Sequence, residues 1–173
     1  MRKRQKTVWI TGASSGIGLA FAQAYAKKGY RLILTARRRG RLEKIAANLG
    51  VSCRIETADL SKDEECYRVC NLLKEETIDI FINNAGFGTC GEFAETDMTK
   101  EIDMIHVNVE AMHILCKEVL RHMRAKGHGT ILNVASSAGL LPGGPYMATY
   151  YATKAYVVSL TKSIAQEQRE KKS

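Results

Sequence analysis

Residues 7–18, TVWITGASSGIG, decide the fold: an apolar run of strand length leads into glycines spaced G-x-x-x-G-x-G, and a helix-period stretch follows. Glycines in such a turn permit positive φ, and they let backbone N–H groups at the start of a helix approach a phosphate. The stretch therefore predicts a strand, a phosphate-binding loop and a helix. The alternative interpretation is a glycine-rich turn that binds nothing.

The same alternation of strand and helix continues along the chain. Apolar runs at 7–11, 31–35, 52–57, 78–83 and 130–135 alternate with helix-period stretches at 17–28, 38–49, 99–126 and from about Tyr150 onward. Ser61 and Glu64 form a capping-box pattern that predicts a further helix start after the third strand. Strands alternating with helices are typical of βαβ units. We therefore predict an α/β, Rossmann-type doubly wound parallel sheet of five strands in the order 3-2-1-4-5 with helices on both faces, as a single domain over residues 1–173.

The composition is that of an ordinary globular protein and excludes disordered and fibrous classes. Of 173 residues, 45% are hydrophobic and 25% are charged, and the formal net charge is +8. The basic residues are dispersed, apart from short clusters at 1–6 and 37–39. We interpret most of this charge as solvated surface and expect no nucleic-acid partner.

The cysteines indicate reduced thiols in the cytoplasm. No two of the five cysteines form a C-x-x-C pair, and none has a His or Cys partner at the spacing of zinc ligands. We therefore expect no metal site. The cysteines are Cys53, Cys66, Cys70, Cys90 and Cys116. No apolar run approaches the roughly 20 residues that span a bilayer, and the basic start leads directly into a strand. We expect no membrane association and no targeting segment.

A basic run at the end of the second strand predicts the cofactor. The sequence there is Thr35-Ala36-Arg37-Arg38-Arg39, without the carboxylate that often binds a free ribose 2′-hydroxyl in dinucleotide folds. Arginine instead pairs with a 2′-phosphate through bidentate, charge-assisted contacts, which favours NADP over NAD. The alternative is that these arginines form the first turn of the next helix, an interpretation that suits Arg39.

A tyrosine and a lysine near the last helix are candidates for proton transfer. Tyr150 and Lys154 are four residues apart and share a helix face, so that an ammonium group lies near a phenol. The reference pKa of tyrosine is about 10, and a nearby cation favours the phenolate. Such a pair alone is more often a surface pair. Its coincidence with a phosphate loop and with serines after the fifth strand favours a reactive site.

Four motifs in order carry a family resemblance: TGASSGIG at 11–18, NNAG at 83–86, a serine after the fifth strand, and Tyr150 with Lys154. Over residues 7–167 the chain resembles the short-chain dehydrogenase/reductase family. The resemblance implies an oxidoreductase that transfers a hydride between NADP(H) and a carbonyl or alcohol substrate. It implies that Tyr150 is the general acid/base and that Lys154 lowers the pKa of Tyr150 and binds the nicotinamide ribose. The NADP contacts that it implies are Gly12, Ser14, Ser15, Gly16, Ile17, Gly18, Arg37, Asp59, Leu60, Asn84, Ala85 and Gly86, together with Tyr150 and Lys154.

Two further catalytic assignments follow from the resemblance. Asn108 matches the family's asparagine that holds a proton-relay water, while a kink in the long helix is a second interpretation compatible with the first. The family's separation of about thirteen residues from Tyr150 selects Ser137 as catalytic, whereas the pattern N-x-x-S after the strand selects Ser136. A flexible loop absorbs an insertion more easily than a strand end. We therefore choose Ser136, with Ser137 as the alternative.

The end of the chain departs from the family pattern. Family members continue past the last helix into further strands, whereas this chain stops at Ser173 and leaves the apolar fifth strand as an edge. The fold is therefore expected to be C-terminally truncated, by a shortened gene or product, by degradation, or with an edge completed by another subunit.

The alternative function is a non-catalytic NADP-binding module or an inactive truncated enzyme. The long helix and the last helix resemble the pair of helices that forms the dimer interface in this family, which implies a homodimer or homotetramer. The long helix carries an apolar stripe of Ile102, Ile105, Val109, Met112 and Val119. This stripe would also suit packing against the protein's own sheet.

Overall fold

The computed structural model describes residues 4–170, and its centre is a five-stranded parallel sheet. The strands are β1 (Thr7–Thr11), β2 (Arg31–Ala36), β3 (Cys53–Thr57), β4 (Ile80–Asn83) and β5 (Thr130–Asn133). Their order in the sheet is β3-β2-β1-β4-β5, and every neighbouring pair is parallel. The predicted fold class and strand order are confirmed. Both β4 and β5 are shorter than the apolar runs that predicted them.

Helices follow the strands. They are α1 (Gly16–Lys27), α2 (Arg39–Ala47), α3 (Asp63–Cys70), α4 (Met98–Ile105), α5 (Met112–Lys126) and α6 (Ala148–Glu170). The stretch expected to be one helix over 99–126 contains a π-helical segment, His106–Ala111, between α4 and α5. Short 3₁₀ turns at Asn71–Lys74 and Ser137–Leu140 complete the elements.

Two hydrophobic clusters cover the two faces of the sheet. Val8 and Ile10 point to the face covered by α1 and α2, whereas Trp9 points to the face covered by α3 and α5. All five residues of β1 are buried, as expected of a central parallel strand covered on both sides. The rings of Trp9 and Phe81 lie 4.8 Å apart between their centroids. The expectation of helices on both faces is therefore confirmed.

The apolar stripe of the long helix divides between the core and the surface. Met112 and Val119 are buried, and Val119 packs in the cluster beneath α3 and α5. Ile102 is 42% exposed. Packing within the protein therefore accounts for the α5 part of the stripe, and Ile105 and Val109 are half-buried.

The predicted capping box at Ser61 is wrong. The Ser61 hydroxyl donates to Asp59 Oδ1 at 2.9 Å, and the Ser61 backbone N–H donates to the same oxygen at 3.2 Å. The helix begins two residues later at Asp63, and its cap residue Lys62 makes no side-chain capping bond. An aspartate two residues earlier competes for the serine, because Asp side chains readily close such turns on the following backbone.

The loops that carry the sequence motifs meet at one edge of the sheet. Parallel strands place their carboxyl ends together, so the residues after β1, β4 and β5 emerge side by side. Asn83 and Asn133 are paired in register at the ends of β4 and β5, and the amide of Asn83 donates to Asn133 Oδ1 at 3.1 Å. This edge is the place where a ligand-binding crevice is expected in an open α/β sheet.

Candidate nucleotide and proton-transfer site

The loop between β1 and α1 has the geometry of a phosphate cradle. Gly12 and Gly16 adopt φ of +64° and +52°, and a Cβ atom added to Gly18 would lie 2.3 Å from the Gly12 carbonyl oxygen. The cap residue Ser15 makes no side-chain capping bond, and the first turn of α1 holds no acidic residue. Backbone donors at this helix end are thus left for an anion, so the loop fits a dinucleotide pyrophosphate.

A threonine hydroxyl ties this loop to the NNAG motif. Thr11 Oγ1 accepts hydrogen bonds from the backbone N–H groups of Asn84 at 2.9 Å and Ala85 at 3.0 Å. The Asn84 amide donates in return to the Thr11 carbonyl oxygen at 3.0 Å. Sequence reasoning assigned Asn84 and Ala85 to the site but missed this role of Thr11. The structure brings the phosphate loop and the segment after β4 together through these bonds.

The arginines after β2 separate into two kinds. Arg37 and Arg38 are exposed, and neither forms an ion pair with any residue from 4 to 170. Arg39 opens α2, and its guanidinium lies 3.6 Å from the Glu43 carboxylate. The helix-turn interpretation therefore holds for Arg39, whereas Arg37 and Arg38 remain available for a phosphate.

Asp59 and Leu60 follow β3 and sit differently from each other. The Asp59 carboxylate is half-buried and engaged with Ser61, as described above. The Leu60 side chain is buried in the core beneath α3 and α5, so only its backbone could contact a cofactor. Both assignments to NADP stay predictions from the family resemblance.

The Lys154 side chain is enclosed against the segment after β5. Lys154 is 5% exposed, and its Nζ donates to the Val134 carbonyl oxygen at 3.1 Å. The same Nζ lies 5.8 Å from the centre of the Tyr150 ring. Burial lowers the pKa of Lys154, because a buried ammonium loses hydration. This burial excludes the surface-pair interpretation of Tyr150 and Lys154.

Asn108 lies at the centre of the π-helical segment and holds the loop after β4. Its Oδ1 accepts from the Phe87 N–H at 3.0 Å, and its Nδ2 donates to the Phe87 carbonyl oxygen at 2.8 Å and to Thr153 Oγ1 at 3.1 Å. Asn108 is 1% exposed. The kink expected at Asn108 stays a prediction; the structure has a π segment at this position, a feature frequent at functional sites. Thr153, next to Lys154, was missed by sequence reasoning.

Gly86 is the point at which Asn108 and Lys154 approach the same backbone. A Cβ atom added to Gly86 would lie 2.9 Å from Asn108 Oδ1 and 3.4 Å from Lys154 Nζ. Ordinary side chains do not tolerate the shorter distance. The NNAG motif therefore needs glycine here because of the two side chains that face it.

The two candidate serines differ in burial and in hydrogen bonding. Ser136 is half-buried, and its Oγ accepts from the Ala138 N–H at 3.2 Å at the start of the turn Ser137–Leu140. Ser137 is exposed. Because the Ser136 oxygen acts only as an acceptor in that bond, its hydroxyl proton remains available to a substrate oxygen. The choice of Ser136 stays a prediction that this geometry favours.

Cys70 is a half-buried thiol on α3, outside this site. Burial raises the pKa of the Cys70 thiol to about 12, so it stays protonated near neutral pH. Residues 4–170 contain no group of three His, Cys, Asp or Glu side chains placed to hold a metal ion. In the same range, no helix combines the length and hydropathy needed to cross a bilayer.

Comparison with known proteins identifies the family. A model of the short chain dehydrogenase family matches residues 6–172. The 3-oxoacyl-acyl-carrier-protein reductase FabG of Rickettsia prowazekii is 35% identical over 163 residues, which are 94% of this chain and 66% of that protein.

Two solved structures have the same fold. A short-chain dehydrogenase from Sphingobium yanoikuyae in complex with NADPH is 36% identical with a TM-score of 0.88, over 94% of this chain and 65% of that one. The bulky-bulky ketone specific alcohol dehydrogenase from Comamonas testosteroni is 33% identical with a TM-score of 0.90, over 98% and 70%. This chain thus spans about two thirds of the length of such relatives. It belongs to the short-chain dehydrogenase family.

Proposed function

We propose that this protein binds NADPH and reduces a carbonyl group to an alcohol, or catalyses the reverse oxidation, with Tyr150 as the general acid/base. The observation that carries this proposal is the buried Lys154, whose ammonium lies 5.8 Å from the centre of the Tyr150 ring at the sheet edge that holds the phosphate loop. A buried cation beside a phenol in a crevice is an arrangement that enzymes use to tune proton transfer.

The chain's own residues supply the proton and the orientation. When bound, NADPH supplies a hydride, which carries two electrons, to the carbonyl carbon. As the carbon–oxygen π bond breaks, its electron pair moves to the oxygen, and Tyr150 donates its phenolic proton there. Ser136 holds the same oxygen with its free hydroxyl proton. The product is an alcohol, and Tyr150 is left as a phenolate that the Lys154 ammonium stabilises.

Asn108 and Lys154 keep this arrangement rigid. Lys154 is anchored by the Val134 carbonyl, and Asn108 holds Phe87 and Thr153 in fixed positions next to Gly86. Reacting groups must be held close to the productive geometry, because small displacements are costly in rate. This rigidity supports an enzyme more than a simple binding module.

We propose NADP rather than NAD as the cofactor. Arg37 and Arg38 are exposed directly after β2, where the adenosine ribose of a dinucleotide is read in this fold. No carboxylate stands at that position. The NADPH found with the Sphingobium dehydrogenase supports this choice.

The decisive experiment compares two adjacent tyrosines. In Tyr150→Phe, turnover of NADPH with neutral aryl ketones should fall by about 100-fold or more, because the proton donor is lost, while NADPH affinity stays within about threefold. Tyr151→Phe is the matched control and should keep its turnover. NADPH oxidation is followed by absorbance, and NADPH binding by calorimetry.

Two results would contradict the proposal in different ways. Retained turnover in Tyr150→Phe would remove Tyr150 from the chemistry. Saturable NADPH binding by the unaltered chain, without turnover of any aldehyde or ketone, would favour the non-catalytic NADP-binding module.

A further inference from the structure

Two loops frame the approach to Tyr150. The first, residues 86–97, follows β4, and the second, residues 138–147, precedes α6. A Cβ atom added to Gly88 would lie 2.9 Å from Tyr150 Cδ2, so the first loop packs closely against the ring. The Gly91 N–H donates to the Tyr146 carbonyl oxygen at 2.8 Å, which joins the two loops. We call this pair of loops the mouth.

The mouth presents large apolar side chains to the surface. The exposed fractions are 40% for Phe87, 65% for Phe93, 68% for Leu140, 53% for Leu141 and 62% for Tyr146. Single exposed apolar residues are normal on any protein, but a group of them in two hydrogen-bonded loops forms a patch of the kind that marks a binding site.

The charge of the mouth is entirely negative. Neither loop contains Lys, Arg or His, whereas the first contains Glu92, Glu95 and Asp97. These three line a cleft of about 390 Å³, in which Lys100 of α4 is the single cation. An anionic substrate would meet net repulsion here and would find no guanidinium for a bidentate contact.

The backbone of Tyr146 adopts an unusual conformation. Tyr146 has φ of +63°, a conformation that residues other than glycine rarely adopt. Such strain persists only when surrounding contacts enforce it, here the bond from Gly91, and it is frequent at ligand clamps. This feature supports a ligand-contact role for Tyr146.

We infer that the substrate is a neutral carbonyl compound with a bulky apolar group, and that ketoacids and phosphorylated carbonyl compounds are disfavoured. This inference rests on the proposed function, because it assigns a substrate class to the same site. The apolar part of the substrate packs against the mouth while its carbonyl oxygen meets Tyr150. Burial of apolar surface supplies the affinity, and the three carboxylates supply the selection by charge.

The test uses two probes with the same reactive acetyl group, methyl 4-acetylbenzoate and 4-acetylbenzoate. With the protein saturated by NADP⁺, which has no hydride to transfer to the acetyl group, ligand-observed NMR gives the dissociation constant of each probe near neutral pH. The neutral ester should bind at least about fivefold more tightly than the carboxylate, since only the carboxylate is repelled. Equal or tighter binding of 4-acetylbenzoate, or no binding of either probe, would overturn the inference.

A variant pair connects this selectivity to the mouth. Tyr146→Asn removes the ring and keeps a residue that tolerates positive φ, and it should weaken ester binding by about threefold to tenfold. Tyr67→Asn on α3 is the matched control, because Tyr67 is 58% exposed and lies outside the mouth; it should bind the ester as the unaltered protein does. Equal effects of both variants would contradict a role for Tyr146.

Failure of this inference is distinguishable from failure of the proposed function. If the ester binds selectively but Tyr150→Phe keeps its turnover, the catalytic assignment is wrong and the mouth assignment stands. If Tyr150→Phe loses turnover but the carboxylate probe binds as well as the ester, only the substrate class is wrong.

Discussion

The Glu101 carboxylate accepts a hydrogen bond from Thr149 Oγ1 at 3.0 Å, one residue before Tyr150. Its other oxygen accepts from Thr96 Oγ1 at 2.7 Å. Glu101 is 9% exposed and forms no ion pair within residues 4–170. A single buried carboxylate of α4 therefore connects the first loop of the mouth to the start of the helix that carries Tyr150 and Lys154.

This connection predicts coupled losses of stability. Glu101→Gln and Thr149→Val should each lower the free energy of unfolding by about 1–3 kcal/mol, because hydrogen bonds to a charged acceptor are stronger than neutral ones. The double variant should lose less than the sum, with a coupling of about 0.5–3 kcal/mol. Urea unfolding measures all three values. Glu95→Gln, an exposed site in the same region, is the control, and additive losses would show that the two residues act independently.

Gly86 provides a second test, of close packing rather than hydrogen bonding. In Gly86→Ala the new Cβ would displace Asn108 Oδ1, which lies 2.9 Å away, and would press on Lys154 Nζ. We expect turnover to fall by about 100-fold, because reacting groups displaced by an ångström lose alignment. Steady-state kinetics and NADPH calorimetry check this expectation.

Gly40→Ala is the matched control for that substitution. Gly40 lies in α2 with no positive φ, and an added Cβ would meet no atom within 4 Å apart from those of its chain neighbours and its own helix backbone. This variant should gain about 0.5–1 kcal/mol of stability and keep its turnover. Loss of turnover in both variants would mean that the effect of Gly86→Ala is not local.

The sheet could be predicted from the sequence because its strands are buried on both faces. Val8, Trp9 and Ile10 are all fully buried, so the strand appears as an unbroken apolar run rather than as an alternating one. Such runs, separated by helix-period stretches, leave little choice of topology. The phosphate loop was predictable for a related reason, since its glycines are required by backbone geometry at fixed spacing.

The π segment could not be predicted in the same way. An unbroken helix over 99–126 would have almost the same spacing of apolar residues as the observed α4, π segment and α5. The spacing therefore does not reveal that one turn is wider than an α-helical turn. The segment becomes intelligible only through the contacts of Asn108 with Phe87 and Thr153, which are distant in sequence. Glu101 was missed for the same reason, because its partners Thr96 and Thr149 form no recognisable motif.

Arg37 predicts the choice between NADPH and NADH. In Arg37→Asp the guanidinium that would meet the 2′-phosphate is replaced by a carboxylate that repels it, so the affinity for NADPH should fall by at least about tenfold while that for NADH changes little. Lys44→Glu on α2 changes the charge by the same two units and should leave both affinities within about twofold. Titration calorimetry measures all four constants. Equal losses for the two nucleotides in Arg37→Asp would contradict a contact with the 2′-phosphate.

The arginines around Glu76 predict how stability depends on pH. Arg31 forms a bidentate pair with Glu76, with one of its two contacts at 2.8 Å, and Arg54 Nη1 donates to Glu76 Oε1 at 3.1 Å. The hydrogen bonds from Arg31, and then the single one from Arg54, hold the pKa of Glu76 below its usual value of 4.5. The folded state therefore binds a proton on this group less readily than the unfolded state does. Its contribution is fully present above about pH 4.5 and is lost as the pH falls through the lowered pKa.

Glu76→Gln should remove this part of the pH dependence. The variant should be less stable than the unaltered protein at neutral pH, and the difference in Tm between the two should shrink as the pH falls below 4.5, because the carboxylate is then protonated in the unaltered protein as well. Thermal unfolding followed by circular dichroism at several pH values measures this difference. Glu92→Gln is the control, since Glu92 is exposed and should show no such trend. A Tm difference that stays constant from neutral to acidic pH would mean that Glu76 is not stabilised in its charged form by the two arginines.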